Sequence, residues 1–330
     1  MRRLAFLLVV VLGVSLLTFF ISHVVPADPV GLLVGKSATH AQVVKYRHAL
    51  GLDQPLPVQY LVYMGNLLHG NFGQSISSRR PVLQDFIDYF PATVELTFYA
   101  LLICLIIGLP FGVLSAVYRR GWLNSLTRVV CLAGVAMPIF WLGLVFQLLF
   151  FGVLHILPSD GRLDAAYNPP HHITGLYTVD SLLTANWPVF VNSLEHVLLP
   201  AFTLSFAALA TVVRVTRASM LDALAQDYIR TAKAKGVGRW GVNVRHALRN
   251  ALVPTTTLLG LQVGNLLGGA FLVEIVFSWP GIGFYSVQAI REFDFAAIMG
   301  IAIIIAIGYT LVNLVVDILY GVLDPRITYA

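Results

Sequence analysis

Few residues in this chain have the types and spacing to do chemistry. Gly35-Lys36-Ser37 has the ending of a phosphate-binding loop, but Gly31 stands one residue too close for G-x-x-x-x-G-K-[ST] and no strand precedes it. The segment therefore supplies no nucleotide site. His171 and His172 are adjacent, with His155 and His196 not far off in sequence, a composition that can ligate a divalent metal. Paired histidines in a polar loop are more commonly solvated, so no metal site is assigned. Glu95, Glu274 and Asp317 lie at or near the ends of apolar runs, with Gln147, Gln262, Asn265 and Asn313 deeper. A carboxylate at the centre of a bilayer costs roughly 2.5–3.5 kcal/mol on insertion scales, so each needs a partner, water or a function. Glu274, Gln262 and Asn265 are the candidates for lining a path or an outer gate. Neither a G-x-S-x-G elbow nor an H-E-x-x-H helix occurs, which removes the main motifs of an intramembrane enzyme. No catalytic residue is expected.

The elements that would position these groups are long and apolar. The 330 residues are 58% hydrophobic and only 11% charged, with mean hydropathy +0.80, whereas soluble domains carry roughly 25% charged residues. Runs near Leu4–Ser22, Ala92–Val117, Val129–Leu154, Val197–Val213, Thr257–Phe277 and Ala297–Val322 approach the roughly 20 residues that cross a bilayer. The reading is an all-α integral membrane protein with six transmembrane helices. Cys104 and Cys131 fall inside two of these runs and act as small apolar residues, with no disulfide framework. The first run, preceded by Arg2 and Arg3 and followed by no small-residue cleavage site, reads as an uncleaved anchor.

Charge sets the orientation. With the N-terminus inside, Arg2, Arg3, Arg119, Arg120, Arg128, Arg214, Arg217, the cations from Arg230 to Arg249 and Arg326 fall on one side. Asp160, Asp164, Asp180, Glu195, Glu292 and Asp294 fall on the other. The positive-inside rule then places both termini in the cytoplasm. The net charge of +5 is concentrated in inter-span loops rather than along one face, which argues against nucleic acid. Three regions follow: a first helix over 1–22, an extracytoplasmic module over 23–91, and a five-helix core over 92–330. Within the module, Ala41–Leu50 and Pro57–Leu68 read as helices and Gly70–Ser75 as a turn. Pro138 should kink the third span. Gly108, Pro110 and Gly112 suggest close packing or bending in the second. Ser278-Trp279-Pro280-Gly281 reads as a tight outer turn with Trp279 at the membrane interface.

The segment 218–254 is the one most in need of a partner. Leu221, Leu224, Ala225, Tyr228, Ile229 and Ala232 recur at helical spacing on one face. Asp222 and Asp227 sit toward the helix start, and Arg230, Lys233 and Lys235 toward its end, as the helix dipole favours. Gly236 stands where a left-handed C-cap would go. A second short helix passes through Val244, Ala247, Leu248 and Ala251, and Pro254 marks the start of the next span. Anionic lipid and a protein partner account equally for such an amphipathic basic helix.

DYIRTAKAKG, HALRNALVP and GLQVGNLLGGAFLVEIVFSWPGIG resemble the "EAA" coupling loop and following span of bacterial ABC-importer permeases, in the form of the dipeptide/oligopeptide/nickel group. VPADP (25–29), GLDQPLPVQY (51–60), GNFGQS, MPIFWLG (137–143) and LPSDGR (157–162) are similar to that group too, so the resemblance covers the whole chain and points to its first-permease subunit. Arg230 and Thr231 stand where the general pattern has Glu and Ala, a feature of the peptide-importer branch. The resemblance implies a type I ABC-importer permease fold in the bacterial inner membrane. It implies a path for di- or oligopeptides formed with a second permease, two ATPase subunits holding ATP and magnesium, and an extracytoplasmic substrate-binding protein. No cofactor belongs to this chain itself. It also implies that Asp227, Tyr228, Ile229, Arg230, Ala232, Lys233, Lys235 and Gly236 dock on an ATPase, with Tyr228, Ile229, Ala232 and Gly236 as the docking core. Nickel, glutathione and haem-like ligands are alternative cargoes. A self-contained ion-coupled carrier would often show inverted repeats, and none is visible.

Overall fold

The computed structural model describes residues 2–24, 39–49, 51–118 and 121–323. Val25–Pro29, Gly35–Ser37, Arg119, Arg120 and Arg326 lie outside them, as do the side chains of Asn313 and Asp317. Among the described residues the chain is helical with no named strand. Its helices are α1 (Arg2–Val24), α2 (His40–Ala49), α3 (Leu56–Leu68), α4 (Val82–Val117), α5 (Trp122–Ala136), α6 (Ile139–Val153), α7 (Tyr177–Leu183), α8 (Trp187–Ala225), α9 (Asp227–Ala234), α10 (Gly241–Val276), α11 (Ile282–Arg291) and α12 (Phe295–Leu323).

Among the described residues α4, α8, α10 and α12 are long and apolar enough to cross a bilayer, and the bent pair α5–α6 makes a fifth span if counted as one. Residues Leu8–His23 of α1 form a shorter apolar helix. Four spans differ from their sequence-based bounds. The second begins at Val82 rather than Ala92, so the last residues of the 23–91 module are already helix. Asp85 and Asp88 do not halt it because Arg80 pairs with both, at 2.5 and 2.9 Å. The third is broken rather than kinked: Asn124–Gly134 and Ile139–Val153 meet at 115°. Met137, ahead of Pro138, is driven to extended backbone (φ −89°, ψ 130°), and Pro138 stands at the N-cap of α6. The helix of the fourth span does not end at Arg214 but runs on to Ala225. Nor does Pro254 start the fifth, which contains it; π-helical turns occur at Cys104–Gly108, Gln147–Val153 and Gly241–Leu248.

The chain divides into two compact units. One comprises residues 1–90 and 281–314. In it Ser15 Oγ lies 2.9 Å from Tyr60 Oη, joining α1 to α3. The turn after α3 is built by Gly70 (φ 75°) and Gly73 (φ 90°), and Asp294 accepts from Ser75 Oγ at 2.6 Å and Ile76 N at 2.8 Å. Val82, Ile282, Tyr285, Ala297 and Ile301 form its apolar core.

The other unit comprises residues 91–280 and 315–330. Its axis is α8, 72% of whose apolar window is buried against 28–39% for the other single-helix spans. At 1.5 Å per residue α8 is about 58 Å long. Helices α4, α5, α6, α7 and α10 pack along it. Gly112 permits one close approach, since a Cβ there would stand 2.7 Å from Thr216 Cβ. One apolar cluster holds Leu96, Val197, Leu204, Val212, Leu266, Phe277 and Trp279. A second holds Ala116, Met220, Ala223, Ile229, Ala232, Val242, Ala247 and Ala251.

Candidate functional site

The 226–254 segment joins the end of α8 to the start of α10. Gln226 adopts extended backbone (ψ 153°), so α8 stops and α9 begins on a new axis. Leu221, Leu224 and Ala225 therefore belong to the end of α8 and not to the same helix as Tyr228 and Ile229. Asp227 lies in the first turn of α9 and Lys233 in the last, complementing the dipole. Gly236 sits at φ 79°, as the spacing predicts. Gly236 N donates to Lys233 O at 3.0 Å and Val237 N to Ala232 O at 3.1 Å, the paired bonds of a Schellman stop.

Burial divides α9 into two faces. Ile229 is 0% and Ala232 7% exposed; both pack on Met220, Ala223, Val242, Ala247 and Ala251 of the same chain. Within the chain, α8 and α10 present an apolar floor that takes up this face of α9, whose residues the resemblance implies dock on an ATPase. Burying Ile229 contributes about 1.5–3 kcal/mol to holding α9 there. Tyr228, 38% exposed, accepts from Asn250 Nδ2 at 2.8 Å. Asp227, Arg230, Lys233, Lys235 and Gly236 are exposed. Arg230 and Asp227 pair at 3.2 Å in full solvent, a contact worth about 1 kcal/mol or less. Trp240, in the same segment, is 79% exposed.

Toward the other end of α10 two of the three candidate polar groups are enclosed. Glu274 is 0% exposed and accepts from Thr93 Oγ1 at 2.6 Å. Gln262 is buried, and the exposed Asn265 donates to its Oε1 at 2.8 Å. Of the three candidate path residues, then, Glu274 is sealed in the core and the other two pair with each other. Trp279 is not at an interface: it is 1% exposed, and its Nε1 donates to Ala92 O at 2.8 Å. The turn Ser278–Gly281 folds inward because that indole fills the core beside Phe277. Gln147 Nε2 donates to Ser159 O at 2.8 Å and Val276 O at 3.0 Å.

Arg162, the last residue of LPSDGR, anchors a further buried polar cluster. Its Nη2 lies 2.5 Å from Glu95 Oε2 and 3.0 Å from Gly175 O, and its guanidinium lies 3.7 Å from the Tyr177 ring centroid. Glu95 Oε1 accepts from Thr178 N at 2.8 Å and Thr178 Oγ1 at 2.7 Å, fastening α7 to α4. Burial raises the Asp180 carboxyl, but bonds from Thr174 Oγ1 and the backbone N–H groups of Thr174, Ile173 and Gly175 outweigh it and hold the group below its ordinary value. A lone arginine in LPSDGR and a lone glutamate in an apolar run were the legible signal for this pair. His171 and His172 are exposed. His155 and His196 line one pocket of about 290 Å³ with Asp164 and Glu195, and among the described residues no group of three or more His, Cys, Asp or Glu could hold a metal.

The family model described as "Binding-protein-dependent transport system inner membrane component" matches residues 108–329. Its N-terminal companion, "Binding-prot-dependent transport system membrane comp, N-term", matches residues 1–97. The chain belongs to this permease family. It is a membrane-spanning permease of the ABC importer class and an inner membrane component of its transport system. Relatives of this permease include the probable D,D-dipeptide transport system permease protein DdpB of Escherichia coli (strain K12), 51% identical over 97% of this chain and 94% of that one. The di/tripeptide transport system permease protein DppB of Pseudomonas aeruginosa is 44% identical over 99% and 98%. The glutathione transport system permease protein GsiC of Escherichia coli O1:K1 / APEC is 36% identical over the same shares.

Proposed function

We propose that this permease carries dipeptides, or short oligopeptides, across the inner membrane with a second homologous permease. Full-length similarity to dipeptide permeases, at 51% identity in one case, carries the choice of cargo; glutathione, a peptide itself, is the runner-up on 36% identity. Two ATPase subunits bind ATP with magnesium and hydrolyse it, and an extracytoplasmic binding protein delivers the substrate. The chain itself holds no cofactor. Both termini and α9 face the cytoplasm, where the cations of the 226–254 segment obey the positive-inside rule.

In this reading α9 is a two-faced coupling piece. Asp227, Tyr228, Arg230, Lys233, Lys235 and Gly236 meet the ATPase; Ile229 and Ala232 fasten α9 to α8 and α10. Closure of the ATPases displaces α9, and two continuous helices carry that displacement into the membrane as rigid bodies. The observation supporting it is the burial of Ile229 at 0% beneath a cationic face left exposed. Purification through a tag on this chain tests it. The ATPase subunits should co-purify with wild type and be lost with R230E/K233E; retention by that variant in full amount would refute the assigned contact face.

A further inference from the structure

Between α5 and α8 lies a cavity of about 360 Å³, lined by Thr127, Arg128, Cys131, Leu132, Arg214 and Arg217. Three arginine side chains thus contribute to one mostly apolar wall, and among the described residues no carboxylate pairs with any of them. Arg217 Nη2 donates to Asn124 Oδ1 at 2.8 Å, while its Nε is buried without a hydrogen-bond partner. An unsatisfied charged donor is costly to enclose, and the exposed Arg128 and Arg214 beside it add two like charges whose mutual repulsion an anion would relieve. The position along the chain is also informative. Arg214 and Arg217 follow directly on the apolar run that ends at Val213, so they stand at a membrane boundary. Around them α5 exposes Trp122 (73%), Val129 (63%) and Leu132 (72%), an aromatic anchor and an apolar flank of the kind that meets acyl chains.

We infer that this cavity binds a phosphate group, presented by an anionic phospholipid of the leaflet that the arginines face. Guanidinium forks match phosphate oxygens in pairs, and basic pockets between spanning helices on the cytoplasmic side select such headgroups. Leu132 and Val129 then flank the lipid tail. The inference does not depend on the role assigned to α9 or on the cargo.

Cys131 is a native reporter, half-buried in the cavity wall, whereas Cys104 is 0% exposed. The rate of maleimide labelling at Cys131 is measured in the purified full-length chain with phosphatidylglycerol, with phosphatidylcholine, or with inorganic phosphate alone. Phosphatidylglycerol should slow labelling by about fivefold or more, given roughly 1 kcal/mol per basic residue near an anionic surface, and phosphatidylcholine should not. Equal slowing by inorganic phosphate without lipid identifies the soluble anion as the source of the same chemistry. R128Q/R214Q/R217Q should lose the effect, and R214K/R217K, which keeps the charge, should retain the preference for the anionic lipid. Protection that is equal with both lipids, or that survives the triple glutamine variant, overturns the inference. So does a Cys131 closed off in the assembled transporter whatever the lipid, which would make this face a contact between permeases.

Discussion

Arg162 and Glu95 form an ion pair at 2.5 Å with 6% and 2% of their side chains exposed. Enclosed charges of this kind are costly to separate and nearly neutral to replace together. Arg162→Met alone, which leaves the Glu95 carboxylate without its ion partner, should destabilise the second unit by about 3–5 kcal/mol. Arg162→Met with Glu95→Leu should recover part of that loss. Thermal unfolding of the detergent-solubilised chain checks both; a double variant no better than the single one would show that the charges stabilise beyond their mutual pairing.

Gly236 ends α9 in a left-handed conformation, with open space where a Cβ would be built. Substitution there costs backbone energy alone. Gly236→Val should weaken the helix end by about 1–2 kcal/mol, and Gly236→Asn by less, because asparagine tolerates that region. Amide exchange over residues 227–237 should quicken in the order Gly, Asn, Val, and peptide uptake per ATP should fall in the same order.

Ile229→Ala removes the side chain that fastens α9 to α8 and α10. A loss of about 2–5 kcal/mol is expected for truncating a buried isoleucine. The proposed contact face of α9 is left unchanged, so ATPase subunits should still co-purify and hydrolyse ATP while uptake per ATP drops. Equal losses in hydrolysis and uptake would place Ile229 at the contact itself.

Asp180 titrates below its ordinary value because four hydrogen bonds favour its charged form. A depressed carboxyl stabilises the fold above the unfolded value of about 3.9, and that contribution vanishes as pH falls through the lower folded value. Amide protection of residues 173–184 should therefore hold from neutral pH down to about 4 and be lost below it. Asp180→Asn should be less protected throughout and should lack that acid transition.

Much of the architecture is legible in the sequence because a bilayer demands long apolar runs, and a glycine at a helix end demands little else. Gly236 is read correctly for that reason, as are the helices at Ala41–Leu50 and Pro57–Leu68, which the structure places at His40–Ala49 and Leu56–Leu68. Helix ends are not legible in hydropathy: α8 passes Arg214 because arginine is a good helix former and the backbone does not register where lipid stops. Periodicity also fails across Gln226, since a heptad-like face continues through a residue whose backbone turns the axis. Periodicity finds the apolar side of α9 but cannot say what covers it. Ile229 and Ala232 look alike whether their floor is a partner or Met220 and Val242. Trp279 and Arg162 need tertiary partners distant in sequence, Ala92 and Glu95, to which local patterning is blind.

The account rests on energy reaching this chain from outside it through α9. Vesicles containing the two permeases, the ATPase subunits and the binding protein should accumulate labelled dipeptide when ATP is supplied at the ATPase face. Vesicles lacking only the ATPase subunits should merely equilibrate. Accumulation against a gradient without those subunits would contradict the account.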